Sequence, residues 1–201
     1  MNADRLMRGG QLPTSMSRIP YPCWGLKFTG PISNSNDLIE LMTQSRENSR
    51  WLLVGGPAAV SERQLWTAWL GLASRYVSDT MRANSEDVEF IRLIAGTHQI
   101  RVGFERAGIA DGEQMAWLIY LPDFPTESIQ EMSWPSLDRH VLDQEAQRLM
   151  TVLGATLLPH LPMPNTKTVE RLELNIEPGS VEDYHAIERS ALAHIALADY
   201  S

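Results

Sequence analysis

Residues 81–109 read Met81-Arg-Ala-Asn-Ser-Glu-Asp-Val-Glu-Phe-Ile-Arg-Leu-Ile-Ala-Gly-Thr-His-Gln-Ile-Arg-Val-Gly-Phe-Glu-Arg-Ala-Gly-Ile109. Asn84 or Ser85 is placed to cap a helix. Its first turn carries Glu86 and Asp87, the charge sign that suits the positive end of a helix dipole. Phe90, Ile91 and Ile94 point inward. Gly96 ends this helix, and Thr97 is placed to cap a second, shorter one. Ile100, Phe104 and Ala107 form the apolar line of that second helix, and Gly108 ends it. The stretch is therefore a tight helix–turn–helix. Its corner is Gly96, Thr97, His98 and Gln99, all small or polar. Met115 to Leu121 follows as a strand of nearly unbroken hydrophobicity, which belongs in the middle of a sheet.

Upstream, Trp24 to Phe28 reads as a short strand. Asn34 or Ser35 caps a helix over residues 37–45, with Leu38, Ile39, Leu41 and Met42 on its apolar side. Trp51 to Val54 is a buried strand ended by Gly55, Gly56 and Pro57. Ser61 caps a long helix in which Leu65, Trp66, Trp69, Leu72, Ala73 and Tyr76 recur at spacings of three and four. Downstream, residues 122–136 and 154–166 read as Pro-rich loops, separated by an amphipathic helix from Leu137 to Leu153. Val169 to Ile176 alternates, with Leu172, Leu174 and Ile176 on one side, and reads as an edge or half-exposed strand. Ser180 caps a last helix that runs to about Tyr200. The sum is an α/β fold: one domain over residues 21–201, with a mixed central sheet of about four strands flanked by helices. Residues 1–20 lack any period and read as a flexible tail.

The 201 residues are 43% apolar and 21% charged, enough for a real core. The net charge of −8 argues against a molecule coated in basic surface. The acid is uneven, however: residues 1–73 hold 7 basic and 5 acidic side chains, residues 74–107 hold 5 and 5, and residues 108–201 hold 5 and 15. An anionic ligand is pushed towards the first half. A single cysteine, Cys23, excludes an internal disulfide framework and a cysteine-based zinc site. No apolar stretch has the length of a membrane span, and the first twenty residues have no signal-type apolar core. A soluble, cytoplasmic protein is the expectation.

Two places offer surfaces for work. The last helix ends Ala191-Leu-Ala-His-Ile-Ala-Leu-Ala198, apolar on almost every side. One stripe of Tyr184, Ile187, Ala191 and Ile195 would suffice for packing, so Leu192, Ala193, Ala196 and Leu197 are left over to dock on a partner. The plainer alternative is a helix sunk deeply into its own core. Around the helix–turn–helix, Arg82, Asn84, His98, Gln99, Arg101 and Arg106 offer cations and amide or imidazole groups suited to single-stranded RNA. The plainer alternative there is a cap, a helix start and solvated arginines. Catalytic signals are weak. The five histidines are dispersed, and Glu182-x-x-His185 is one half of a metal-binding pattern without its second half. Glycine-loop and serine-nucleophile motifs are missing from the sequence. No metal or cofactor is expected. A stand-alone small-molecule enzyme built on His98 and a module that pairs with its own copy remain the rival readings.

Arg82-Ala-Asn-Ser, Phe90-Ile, Ala95-Gly-Thr-His-Gln-Ile, Ala107-Gly-Ile109 and the strand Ala116-Trp-Leu-Ile-Tyr120, in this order and spacing, resemble the kinase-binding, Cgi-type subunit of the KEOPS (EKC) complex. The archaeal members look closest. The end of the chain, a strand at Arg171 to Ile176 and then a long apolar helix from Val181, is also similar to that family, so the similarity spans about residues 50–121 and 168–200. The N-terminal extension and the two Pro-rich loops look longer than in compact members. The resemblance implies the Cgi-type fold and a non-enzymatic role in threonylcarbamoyladenosine modification of tRNA. Such a subunit docks on the N-terminal lobe of the complex's small kinase-like ATPase and stimulates it. In archaea it also captures the single-stranded CCA tail of tRNA. The resemblance implies partner contacts at Leu192, Ile195 and Ala196, and RNA contacts at Arg82, Asn84, His98, Gln99 and Arg101.

Overall fold

The computed structural model describes residues 20–124, 135–177, 179–180 and 182–200. All but the last residue of the expected tail over residues 1–20 and most of the expected loop at 122–136 lie outside the described residues. In chain order the elements are β1 (Cys23–Phe28), α1 (Ser35–Ser45), β2 (Trp51–Gly55), α2 (Glu62–Val77), α3 (Glu86–Ile94), α4 (Ile100–Ala107), β3 (Met115–Tyr120), α5 (Arg139–Val152), β4 (Ala155–Leu158), α6 (Thr166–Arg171) and α7 (Tyr184–Ala196). A single 3-10 turn, Gly56–Ala58, follows β2.

The molecule is a single α/β domain around a four-stranded sheet of order β2-β3-β1-β4. Every pairing is antiparallel, so the sheet is not mixed. The unbroken run Met-Ala-Trp-Leu-Ile-Tyr of β3 does mark a central strand, with β1 on one side and β2 on the other. Its continuity reports cover on both faces and carries no information about strand direction. Alternation is intact beneath it. Trp117 and Ile119 face one core together with Leu52, Val54 and Cys23. Ala116 and Leu118 face the other, with Trp24, Leu26, Trp51 and Leu53. Helices α2, α3 and α7 fill the first core through Leu65, Trp69, Leu72, Phe90, Leu93, Ile187, Ala191 and Ile195. Helices α1 and α5 fill the second through Met42, Leu142, Ala146, Leu149 and Met150. Among the described residues no helix is long and apolar enough to cross a membrane.

Two expectations fail for local reasons. Residues 169–176 are not a strand. Asn165 and Thr168 form a reciprocal capping box that starts α6, and the helix ends in a Schellman turn in which Leu174 N–H reaches Val169 carbonyl at 2.9 Å. Glu173 takes the left-handed position of that turn at φ 50°. The helix end and this reversal together bury Leu172 and Leu174 and imitate a period of two. Conversely, the loop expected at 154–166 contains β4. Its prolines at 159, 162 and 164 all fall after the strand, and Gly154 at φ 66° makes the turn into it. Helix α7 also begins later than expected: the cap is Asp183, which accepts the His185 N–H, and not Ser180.

Leu118 has no solvent exposure in the second core. Leu118→Ala is therefore expected to cost about 2–5 kcal/mol in urea unfolding. Val141→Ala, on the exposed side of α5, should stay within about 0.5 kcal/mol of the parent.

Candidate nucleic-acid and partner interface

The α3–α4 corner is built by a second Schellman turn. Thr97 N–H bonds to Arg92 carbonyl and Gly96 N–H to Leu93 carbonyl, with Gly96 at φ 62°. Glycine is required here twice over. The backbone is left-handed, and a Cβ would lie 2.3 Å from the His194 ring of α7. The Thr97 hydroxyl accepts the Gln99 N–H, so Thr97 shapes the approach to α4 while Gln99 itself holds the cap position. Helix α4 packs through Gly103 and Ala107, because a Cβ at Gly103 would stand only 3.2 Å from Arg92 Cα. Ile100 and Phe104, expected to point inward, are instead partly exposed, Phe104 at 37%.

Beneath the corner lies a buried ion cluster that sequence patterning did not single out. Arg92 is 0% exposed, as is Glu89. Arg92 donates from Nε and Nη2 to the Glu89 carboxylate. Its Nη1 donates to Thr97 carbonyl at 2.8 Å and to Ala198 carbonyl at 3.2 Å. Glu89 also accepts the backbone N–H groups of Arg82 and Ala83. Asp199 closes the cluster against Arg75 at 2.6 Å, Arg92 at 3.1 Å and Arg82 at 3.4 Å. Burial works to lower the Arg92 pKa, but the hydrogen bonds and charges of Glu89 and Asp199 outweigh it and the guanidinium is held on its charged side. Burial works to raise the Asp199 pKa, and Arg75 and Arg92 overcome it, so this carboxyl titrates below its ordinary range. One signal was readable: an arginine inside the buried run Phe90 to Ile94, three residues after a glutamate.

The expected RNA-contacting residues are not all neighbours. His98, Gln99 and Arg101 stand exposed at the corner, and Arg101 is paired with Glu105 one turn along. Arg82 is half exposed beside Asp199. Asn84 is exposed but precedes α3, so it lies the length of that helix away from the corner, about 13 Å for its nine residues. Arg106 leaves the group, turned onto Glu173. Between the Ser85 end of α3 and Phe104 runs an apolar hollow of about 280 Å³, floored by Met42, Leu53 and Ile91 with the Arg46–Asp87 ion pair among its walls.

On α7, the three expected partner contacts separate. Ile195 is buried in the chain's own core at 4% exposure and is not available to a partner. It sits with Ile187, Ala191 and Ala198 on the stripe that closes the first core. Leu192 is half-buried and Ala196 is exposed. Leu197 and Tyr200 remain 54% and 88% exposed. The helix is thus neither swallowed whole nor bare: one stripe is filled, and its end presents an apolar rim.

A large recess, about 1170 Å³ and open to solvent, lies between α4, α6 and residues 110–115. It collects Arg106, Lys167 and Arg171 against Glu105, Asp111, Glu113, Glu170 and Glu173, an acidic balance that repels a polyanion. Two of its cations are engaged within it: Arg106 with Glu173, and Arg171 with the Gly108 carbonyl and Glu113. Burial pushes the Glu113 carboxyl up, against the pull of Arg171. Among the described residues, no three His, Cys, Asp or Glu side chains converge as a metal site would need. Glu182 precedes α7, so Glu182 and His185 are not a helical pair.

Comparison with known proteins identifies no relative: no family model matches the chain, and no curated protein matches it.

His194 tests the contact between α7 and the corner. Burial, then the charge of Arg106, depresses its pKa, with Glu173 opposing. A histidine held neutral contributes stability that is complete above its unfolded pKa of about 6.5 and is lost as pH falls below it. His194→Gln should flatten this part of the pH–stability curve, read by denaturant unfolding between pH 7.5 and 5. Gly96→Ala should cost about 1–3 kcal/mol at any pH, from the left-handed backbone and the displaced ring.

Proposed function

We propose that the chain is a non-catalytic, Cgi-type subunit of a KEOPS complex. It docks through the end of α7 on the complex's small kinase-like ATPase, and it holds the single-stranded CCA end of tRNA at the α3–α4 corner during threonylcarbamoyladenosine modification. What carries the reading is the end of α7. Once Ile187, Ala191, Ile195 and Ala198 have filled the core, Leu197 and Tyr200 still stand in water. An apolar rim of this kind is stabilised by a protein partner that covers it. The partner contacts are therefore Leu192, Ala196, Leu197 and Tyr200.

The corner supports the RNA half in a different way. His98, Gln99 and Arg101 offer side-chain donors to phosphate, sugar and base edges, while Phe104 offers a partly exposed ring for stacking. The hollow beside Phe104 suits the apolar face of a single base, with Ser85 towards its far end. Single strands are read by such mixed surfaces, so a strongly basic molecule is not required. A subunit of this kind raises its partner's activity by binding the active arrangement more tightly, and contributes no reacting group.

Ala196→Arg combined with Leu197→Arg should abolish co-purification with the ATPase subunit and leave the unfolding midpoint unchanged; retention of the complex would move the docking face elsewhere. Gln99→Ala with Arg101→Ala should weaken tRNA binding by about tenfold. The same pair should leave binding of tRNA lacking its CCA tail nearly as it was. Equal weakening of both substrates would remove tail capture from the reading.

A further inference from the structure

We infer that the two surfaces are coupled through Asp199, so that a protein covering the end of α7 tightens the hold of the α3–α4 corner on an RNA end. The inference rests on the function proposed above and adds its regulation. The turn after α7 and the corner hang on the same buried donor: Arg92 Nη1 reaches Thr97 carbonyl on one side and Ala198 carbonyl and Asp199 on the other. The His194 ring lies directly against Gly96, so α7 and the corner also touch through packing. Asp199 joins this donor to Arg82, whose backbone N–H is already held by Glu89.

The charges explain why this turn is a latch. The cluster holds three arginines, at positions 75, 82 and 92, against two carboxylates, Glu89 and Asp199. When Asp199 swings out, three cations face one carboxylate, and Arg92 has no solvent to take its place. The latched turn is therefore the arrangement in which the corner's carbonyl at Thr97 stays fixed. Asp199 is itself 32% exposed and lies two residues after Leu197 of the rim. A partner seated on that rim removes water from the Asp199 pairs, and ion attraction grows as the local dielectric falls. Ordering is thus favoured by the protein partner and used by the RNA. Two ligands that both favour one state bind cooperatively and reciprocally.

The experiment compares the parent chain with Asp199→Asn in two arms. Amide hydrogen exchange on the chain alone should show residues 97–103 exchanging about tenfold faster in Asp199→Asn, with β3 and α5 unchanged. Binding of a fluorescein-labelled RNA oligonucleotide ending in CCA is then measured with and without saturating ATPase subunit. The parent should gain at least about fivefold in affinity when the subunit is present, and Asp199→Asn less than about twofold. Unchanged exchange at the corner, or an equal gain in parent and variant, overturns the coupling. If the parent binds neither the oligonucleotide nor the subunit, the proposed function fails, and the exchange arm alone still decides whether Asp199 fixes the corner. If Asp199→Asn does not fold, Arg75→Gln keeps both Arg92 and Asp199. It should raise exchange at residues 97–103 about threefold, and unchanged exchange there counts against the latch.

Discussion

Burying an arginine and a glutamate side by side is expensive, because each loses its water. The Arg92–Glu89 pair is tolerated because its hydrogen-bonding capacity is almost fully used by the chain around it. Glu89 takes two backbone N–H groups from the segment before α3 and two donors from Arg92. Arg92 donates from its Nη1 to the Thr97 and Ala198 carbonyls and forms an ion pair with Asp199. Four pieces of chain distant in sequence are thereby drawn to one point: α2 through Arg75, the Arg82–Ala83 stretch, the corner, and the turn after α7. An apolar filler of the same volume could pack there, but it could not dictate where three separate backbone segments sit. The helix–turn–helix is a defined surface because this pair stands behind it.

Electrostatics and packing divide the molecule in the same way. Exposed Glu182 and Asp183 lie just before α7 and half-buried Glu188 in its second turn, with exposed Arg189 paired to Asp183, whereas its far end is apolar and meets the arginine-rich cluster. A polyanion approaching along α7 is repelled at one end and meets donors at the other. Under the proposed function the acidic total of the chain is therefore no obstacle: it discourages nucleic acid from the wrong side while the corner stays accessible.

Much of the fold was legible because its signals were local. Ser61, Asn34 and Gly96 start or stop their helices as their side chains or lack of one dictate, and the central position of β3 follows from its unbroken hydrophobicity. What escaped was decided at longer range. The direction of the strands depends on connections that no local pattern encodes. Residues 169–176 alternate because a helix end and one left-handed residue, Glu173, happen to bury Leu172 and Leu174. Ile100 and Phe104 look like a buried stripe, yet the close approach of Gly103 to Arg92 rotates α4 and turns Phe104 outward. At the site, the exposed corner could be read from its composition. The cluster beneath it could not, since Asp199 meets Arg75 across 124 positions of sequence.

The sheet has a consequence for how the chain comes into being. β1 is an inner strand, yet both its neighbours, β3 and β4, are far downstream. Roughly ninety residues must be translated between the end of β1 and the beginning of β3, which takes about 5–20 s on a ribosome. Until then Trp24 and Leu26 have no strand partners and no finished layer to cover them. A nascent chain of this topology thus carries an inner strand unpaired through nearly half of its synthesis, the interval in which a holding chaperone has the most to grip.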